Sequence, residues 1–168
     1  MIINSPHNSY DIVIVGGGMV GATFAVTLSE TSSKSNLTIL VVEATAPSAK
    51  DSTESNFDSR STALSFGSKE ILSESSIWLD VCKNAEAIRS INVSDKGRLG
   101  TTTISSEEQH VEALGFVIEN KDLGLTLQNR LTASTTIHFL VSTNILGVSS
   151  RANGINLKVG SGESTWTV

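Results

Sequence analysis

A single cysteine, Cys82, stands among 168 residues, so neither an intramolecular disulfide framework nor a cysteine-cluster metal site can be built. That sparing use fits a reducing compartment. Two prolines, Pro6 and Pro47, exclude a proline-rich scaffold. Positive charge is in deficit: 12 Lys+Arg against 17 Asp+Glu give a formal net charge of −5. A nucleic-acid binder held by phosphate contacts needs a basic face, and a polybasic membrane-surface protein needs a basic cluster; neither reading fits. The three histidines, His7, His110 and His138, lack metal-ligand spacing and read as structural or solvated. Cys82, near Trp78 and Val81, reads as a small buried hydrophobe in a helix. Trp78 and Trp166 read as core residues, and Glu107-Glu108 as a solvated acidic pair.

A membrane-length run is nearly present and fails on inspection. Residues 12–29 carry no charge, which is about the length of a short span. The run holds Gly16, Gly17, Gly18 and Gly21 with Thr23 and Thr27, and Asp11 and Glu30 flank it. A signal peptide needs a positive n-region, and residues 1–10 contain no Lys or Arg. No export address is visible, so the expected location is cytoplasmic.

What is present is enough apolar residue, 39%, to fold. At ~150 residues per domain the length suits one domain, or one domain and a fragment. Residues 10–15 (YDIVIV) form a short β-branched run suited to a buried parallel strand. Four glycines follow within six positions, then Val20, Phe24 and Leu28 at the four-residue spacing of a helical stripe. Residues 37–42 (LTILVV) read as a second buried strand, ending at Glu43. The order strand, glycine turn, helix, strand is one βαβ unit.

Beyond it, residues 44–58 are polar and read as a loop. Residues 63–78 read as a helix with Leu64, Ile71 and Leu72 on one face. Residues 88–93 alternate as a half-covered strand, turn at 95–97, and pair with 100–104. Residues 116–119 read as a strand, and 121–131 as a helix with Leu123, Leu127 and Leu131 four apart. Strands are expected at 137–141 and 145–148, then a hairpin of 155–159 and 164–168 across Gly160-Ser161-Gly162. The chain stops inside a predicted strand, which suggests the N-terminal piece of something longer.

Gly16-Gly17-Gly18-Met19-Val20-Gly21 is a G-x-G-x-x-G in the right context. Gly16 permits the tight turn, Gly18 lets a pyrophosphate approach the backbone, and Gly21 lets the helix pack on the strand. The helix start near Met19 directs free N–H groups and the positive dipole end at the phosphates. Glu43 ends the second strand about twenty residues on, where a carboxylate accepts from ribose hydroxyls and repels a 2′-phosphate. The pattern suits FAD or NAD alike. The long polar loop after Glu43 departs from the regular βα alternation of a simple dehydrogenase. Arg60 suits a pyrophosphate partner; on chemistry alone a solvated loop arginine is an equal reading.

These residues together resemble the group A flavoprotein aromatic hydroxylases, and within them the ubiquinone-biosynthesis branch. The stretches that carry the resemblance are residues 11–23 (DIVIVGGGMVGAT), 42–47 (VEATAP), 57–64 (FDSRSTAL), 91–97 (INVSDKG) and 112–120 (EALGFVIEN). The last two are the narrowest. The resemblance runs from about residue 11 to residue 168. It implies an α/β fold of the FAD/NAD(P)-binding, Rossmann-like type: a parallel sheet with helices, plus the start of an antiparallel substrate-side sheet, with the C-terminal half absent. The domains implied are an incomplete FAD-binding domain over 1–87 and 120–168, and a β-sheet insertion over 88–119.

By the same resemblance Gly16, Gly18 and Gly21 line the FAD pyrophosphate, and Glu43 holds the adenosine ribose. Arg60 sits on the flavin side, and the backbone near Ile145 lies by the adenine. The activity implied is hydroxylation of a polyprenylated phenol with NADPH or NADH and dioxygen, through a flavin C4a-hydroperoxide. The substrate implies peripheral membrane contact or a ubiquinone-biosynthesis complex that delivers lipid. Two later family motifs, Asp-Gly and Gly-Asp, occur nowhere in this sequence. The expectation is therefore that the 168 residues alone bind nucleotide without turning substrate over. The open alternatives are a non-catalytic nucleotide-binding fragment and a related FAD oxidoreductase with another substrate.

Overall fold

The computed structural model describes residues 9–31, 37–45, 60–97 and 99–168. Pro6, His7, Pro47 and the 57–59 part of the arginine-bearing stretch lie outside the described residues. The chain divides into two compact units: Met1–Glu54 with Gly124–Val168, and Ser55–Leu123.

The first unit is built on the βαβ element. Strand β1 (Ile12–Val15) runs parallel to β2 (Ile39–Val42), which runs parallel to β8 (Ile137–Leu140), in the order β1-β2-β8. All four β2 residues are buried, as a central parallel strand requires. Successive side chains of a strand point to opposite faces. On one face Leu40 and Val42 join Leu140, Val159 and Val168 in a core, with Tyr10, Val13, Ile145, Leu157 and Trp166 packed against it. Four of those residues, Ile145, Leu157, Val159 and Trp166, come from the antiparallel sheet β11-β10-β9, formed by β9 (Asn144–Arg151), β10 (Gly154–Ser161) and β11 (Ser164–Thr167). Its last turn is Gly162-Glu163, because Ser161 pairs with Ser164 and Gly160 is already in the ladder opposite Thr165. The expected three-residue turn is corrected to this two-residue one, with Gly162 at φ +58.

Helix α1 (Met19–Thr31) packs on β1, β2 and β8. Its buried residues are Ala22, Ala25 and Val26, while Val20 and Phe24 are exposed. The stripe expected from Val20, Phe24 and Leu28 thus gives way to a face of smaller residues. A Cβ on Gly21 would meet the Gly16 carbonyl oxygen, so helix and strand approach too closely for large side chains at the contact.

The second unit holds the sheet β3-β7-β4 from β3 (Ser61–Ser65), β7 (Gly115–Glu119) and β4 (Glu86–Ile88), and a separate ribbon of β5 (Ser90–Ser94) and β6 (Thr101–Ser105). The expected helix over 63–78 is corrected at both ends. Thr62 and Leu64 pair with Ile118 and Phe116 in β3, and the helix α2 (Phe66–Glu74) begins only after Ser65, whose Oγ accepts from Ser68 N at 3.2 Å. It ends where Ser75 Oγ donates back to the Ile71 carbonyl and Ser76 takes φ +56; α3 (Ile77–Val81) follows. The expected strand 88–93 breaks at Arg89 into β4 and β5, and all five β5 residues are exposed rather than covered on one face. Cys82 is exposed, not buried. Trp78 packs edge-on to Phe116 with ring centroids 4.7 Å apart.

Helix α4 (Asn120–Ala133) buries Leu123, Leu127 and Leu131, the stripe its spacing predicts. Within the first unit its Arg130 pairs with Glu30 of α1 at 2.6 Å. Among the described residues no helix is long and apolar enough to cross a membrane.

Candidate functional site

The glycine turn, the start of α1 and the end of β2 meet at the C-terminal ends of the parallel strands. In open α/β sheets that edge is where ligands bind. Gly16 continues the sheet by donating its N–H to Val42 O at 2.8 Å, then turns with φ +101, a conformation that strains any residue with a Cβ. The Gly18 carbonyl accepts the first helical bond from Ala22 N at 2.9 Å. The N–H groups of the first helical turn have no partner within the helix, and that turn contains no acidic side chain to neutralise its positive end.

The glycines differ in what surrounds them. A Cβ on Gly18 would meet nothing within 4 Å, so an approaching group finds bare backbone there. On Gly21 it would strike the Gly16 carbonyl. On Gly17 it would stand 2.8 Å from Phe139 Cε2 and 3.2 Å from Glu43 Cβ. So Gly18 is open toward a ligand, whereas Gly17 and Gly21 are closed by the protein itself.

Glu43 lies beside this loop and is held at every polar atom. Its N–H donates to Leu140 O at 2.8 Å, and its carbonyl accepts from Thr143 N at 3.0 Å. Its carboxylate Oε2 accepts from Gly17 N at 2.7 Å, and Oε1 from Thr45 N at 2.9 Å. Each carboxylate oxygen offers two lone pairs, so both keep one for a further donor. Thr143 is buried; its Oγ1 donates to Val141 O at 2.9 Å, and the preceding Ser142 takes φ +53.

Gly16, Gly18, Gly21 and Glu43 are therefore brought together in the first unit. Arg60 belongs to the second; it is exposed, it precedes β3, and its carbonyl accepts from Asn120 N at 3.0 Å. Sequence reasoning missed Gly17, Phe139 and Thr143. Gly17 carried a usable signal, a glycine at a position where the G-x-G pattern tolerates any residue. Phe139 and Thr143 carried none, because their roles depend on the β2–β8 pairing. His138, next to Phe139, accepts or donates at Nδ1 with the Tyr10 hydroxyl at 2.8 Å and so ties the segment before β1 to β8.

The donor set fits a dinucleotide. Bare backbone at Gly18 and the helix N-terminus suit a diphosphate, and the Glu43 carboxylate suits a vicinal diol. FAD meets both requirements through its ADP half.

No family model matches the chain. It is 26% identical over 131 residues to the ubiquinone biosynthesis monooxygenase COQ6 of Rattus norvegicus, covering 77% of this chain and 27% of that protein. It is 24% identical over 164 residues to the ubiquinone hydroxylase UbiL of Rhodospirillum rubrum, covering 97% of this chain and 36% of that protein. In fold it matches the flavin-dependent monooxygenase PieE, whose structure contains FAD and substrate, with a TM-score of 0.72 and 15% identity over 97% of this chain and 29% of that one. The chain thus spans about a quarter to a third of the length of the curated relatives it matches.

Proposed function

We propose, for a chain distantly related to the N-terminal portion of FAD-dependent monooxygenases, ubiquinone hydroxylases among them, that it binds the ADP half of FAD in the service of such an enzyme. The observation that carries the reading is the open backbone of Gly18 at the start of α1, 2.7 Å from Gly17 N to the carboxylate that faces the same edge. In this reading Gly16, Gly18 and Gly21 line the pyrophosphate: Gly16 makes the turn out of β1, Gly18 presents bare backbone, and Gly21 lets the helix end approach the strand. Glu43 accepts from the adenosine ribose. The backbone near Ile145 borders the adenine.

The substrate proposed is a polyprenylated phenol, of the kind a 2-octaprenyl-6-methoxyphenol hydroxylase takes. Bound FAD, reduced by NADPH or NADH, supplies the activation of dioxygen for ring hydroxylation. This chain's residues supply binding and orientation of the nucleotide. About two thirds of the relatives' length has no counterpart in this chain, so in this reading the 168 residues by themselves contribute the nucleotide step alone. Contact with a membrane surface or a ubiquinone-biosynthesis complex would deliver so apolar a substrate; the cytoplasm is the proposed compartment.

The test is titration of the purified chain with FAD, followed by flavin fluorescence, alongside ADP, NAD and NADP. Saturable binding of FAD and ADP, with NADP weaker, supports the reading. Absence of binding to any of them refutes it for this chain. Turnover of a polyprenyl phenol by the 168 residues with FAD and NADPH would overturn the division of labour.

A further inference from the structure

We propose that Glu43 is a positioning residue that locks the glycine loop in its anion-binding shape before any nucleotide arrives, in addition to any contact with a sugar. The role rests on the nucleotide reading for its consequence, but not for its geometry. The carboxylate bridges two segments: Gly17 N at 2.7 Å, 26 residues back along the chain, and Thr45 N at 2.9 Å on the exit turn of β2. Both are charge-assisted bonds to backbone donors that no strand or helix ladder satisfies. The side chain starts from a fixed point, since Glu43 N and O are tied to Leu140 O and Thr143 N. The Phe139 ring also packs close to Gly17, where an added Cβ would stand 2.8 Å from its Cε2 and 3.2 Å from Glu43 Cβ, so ring and Glu43 side chain together leave the loop no room to shift that way.

Two consequences follow for binding. A loop already in shape avoids the ordering cost of forming it around the ligand. A carboxylate pinned by two donors also cannot swing aside for a 2′-phosphate, so exclusion of that group is built into the lock. A neutral amide puts a donor NH2 in place of one of the two oxygens that Gly17 N and Thr45 N use, so in this geometry it loses one of the two bonds. An aspartate is one methylene too short to span them.

Residue-resolved amide hydrogen exchange on the full, nucleotide-free chain tests the proposal, comparing wild type with Glu43→Gln and Glu43→Asp. Loss of a charge-assisted bond predicts exchange at Gly17 and Thr45 faster by about tenfold or more, with Ile14 and Val41 unchanged. Unchanged exchange at Gly17 in the variant that retains its β1–β2 protection overturns it. A second readout separates positioning from contact: 2′,3′-dideoxy-ADP, which has no sugar hydroxyl for Glu43 to hold. A several-fold weaker affinity of Glu43→Gln for this probe supports the lock. Equal or tighter affinity assigns Glu43 to sugar contact alone and overturns it. A wild-type chain that binds no ADP refutes the nucleotide reading, while the exchange result still decides the lock.

Discussion

Gly18 and Gly21 stand three residues apart in one motif, yet an added methyl group should have opposite effects at the two. On Gly21 the methyl meets the Gly16 carbonyl and lies 3.3 Å from Ile14 Cγ2. The carbonyl is backbone and cannot rotate away, so α1 must lift from β1. Overpacking of this kind costs about 1–3 kcal/mol. Replacing a helical glycine by alanine returns roughly 0.5–1 kcal/mol of that. Because the atom in the way is backbone, the cost falls in the upper part of that range, about 2–3 kcal/mol, and the net loss for Gly21→Ala is about 1–2.5 kcal/mol. For a chain of this size, at about 2–4 °C per kcal/mol, the midpoint should fall by about 2–10 °C. Gly18 lies outside the left-handed region and has open space around it. Gly18→Ala should therefore melt at or slightly above the wild-type temperature, through a gain of about 0.4–1 kcal/mol from the stiffer unfolded chain. The same methyl stands where the diphosphate must approach, and FAD affinity should fall about tenfold or more. Thermal melts by circular dichroism and flavin titrations on both variants make the comparison. If Gly21→Ala melts with the wild type, the close helix–strand contact is wrong. If Gly18→Ala binds FAD as tightly as the wild type, the diphosphate does not lie over Gly18.

Further outcomes follow from other contacts. Gly17→Ala should destabilise in the wild-type background and much less in a Phe139→Ala background, with a coupling of about 0.5–3 kcal/mol in a double-mutant cycle; strict additivity refutes the contact. Leu127, fully buried on α4, should cost about 2–5 kcal/mol as Leu127→Ala, read as a lower denaturation midpoint. Asp11 Oδ2 accepts from Thr38 N at 2.7 Å and from Thr38 Oγ1 at 2.8 Å, and these bonds, the backbone one foremost, hold its pKa below the ordinary aspartate value. Its contribution is therefore present above the unfolded value near ~3.9 and disappears as pH falls through the lower folded value. An NMR titration of Asp11 with a midpoint at or above the ordinary value contradicts this.

The βαβ unit was legible because everything that makes it is local. The β-branched runs 10–15 and 37–42, the glycines between strand and helix, and Glu43 at a strand end each carry their own signal, and the structure uses all of them. The orientation of α1 was not legible. Val20, Phe24 and Leu28 keep helical spacing as well as Ala22, Ala25 and Val26 do, and only the closeness set by Gly21 selects the small face. The stretch 61–65 has no strong intrinsic preference; its strand exists because Phe116 and Ile118 lie opposite. Ser65 capping Ser68 N was a local sign that the helix began later, but one serine among many is a weak marker in a serine-rich region. In the site, Phe139 of β8 and Thr143 just after it lie about a hundred residues after Glu43, and no spacing rule links them.

Strand β1 has a consequence for the chain in the test tube. It occupies an end of the order β1-β2-β8, so among the described residues nothing pairs with its outer edge. Its sequence, Ile-Val-Ile-Val, has no charge and no proline to blunt that edge. Val15 beside it is 64% exposed, and Val20 and Phe24 on α1 are 86% and 54% exposed. Short β-branched segments of this kind template their own stacking. Solutions of the isolated chain should therefore lose monomer as concentration rises. The same strand that leads into the glycine loop thus sets a ceiling on the concentration at which the loop's ligands can be studied.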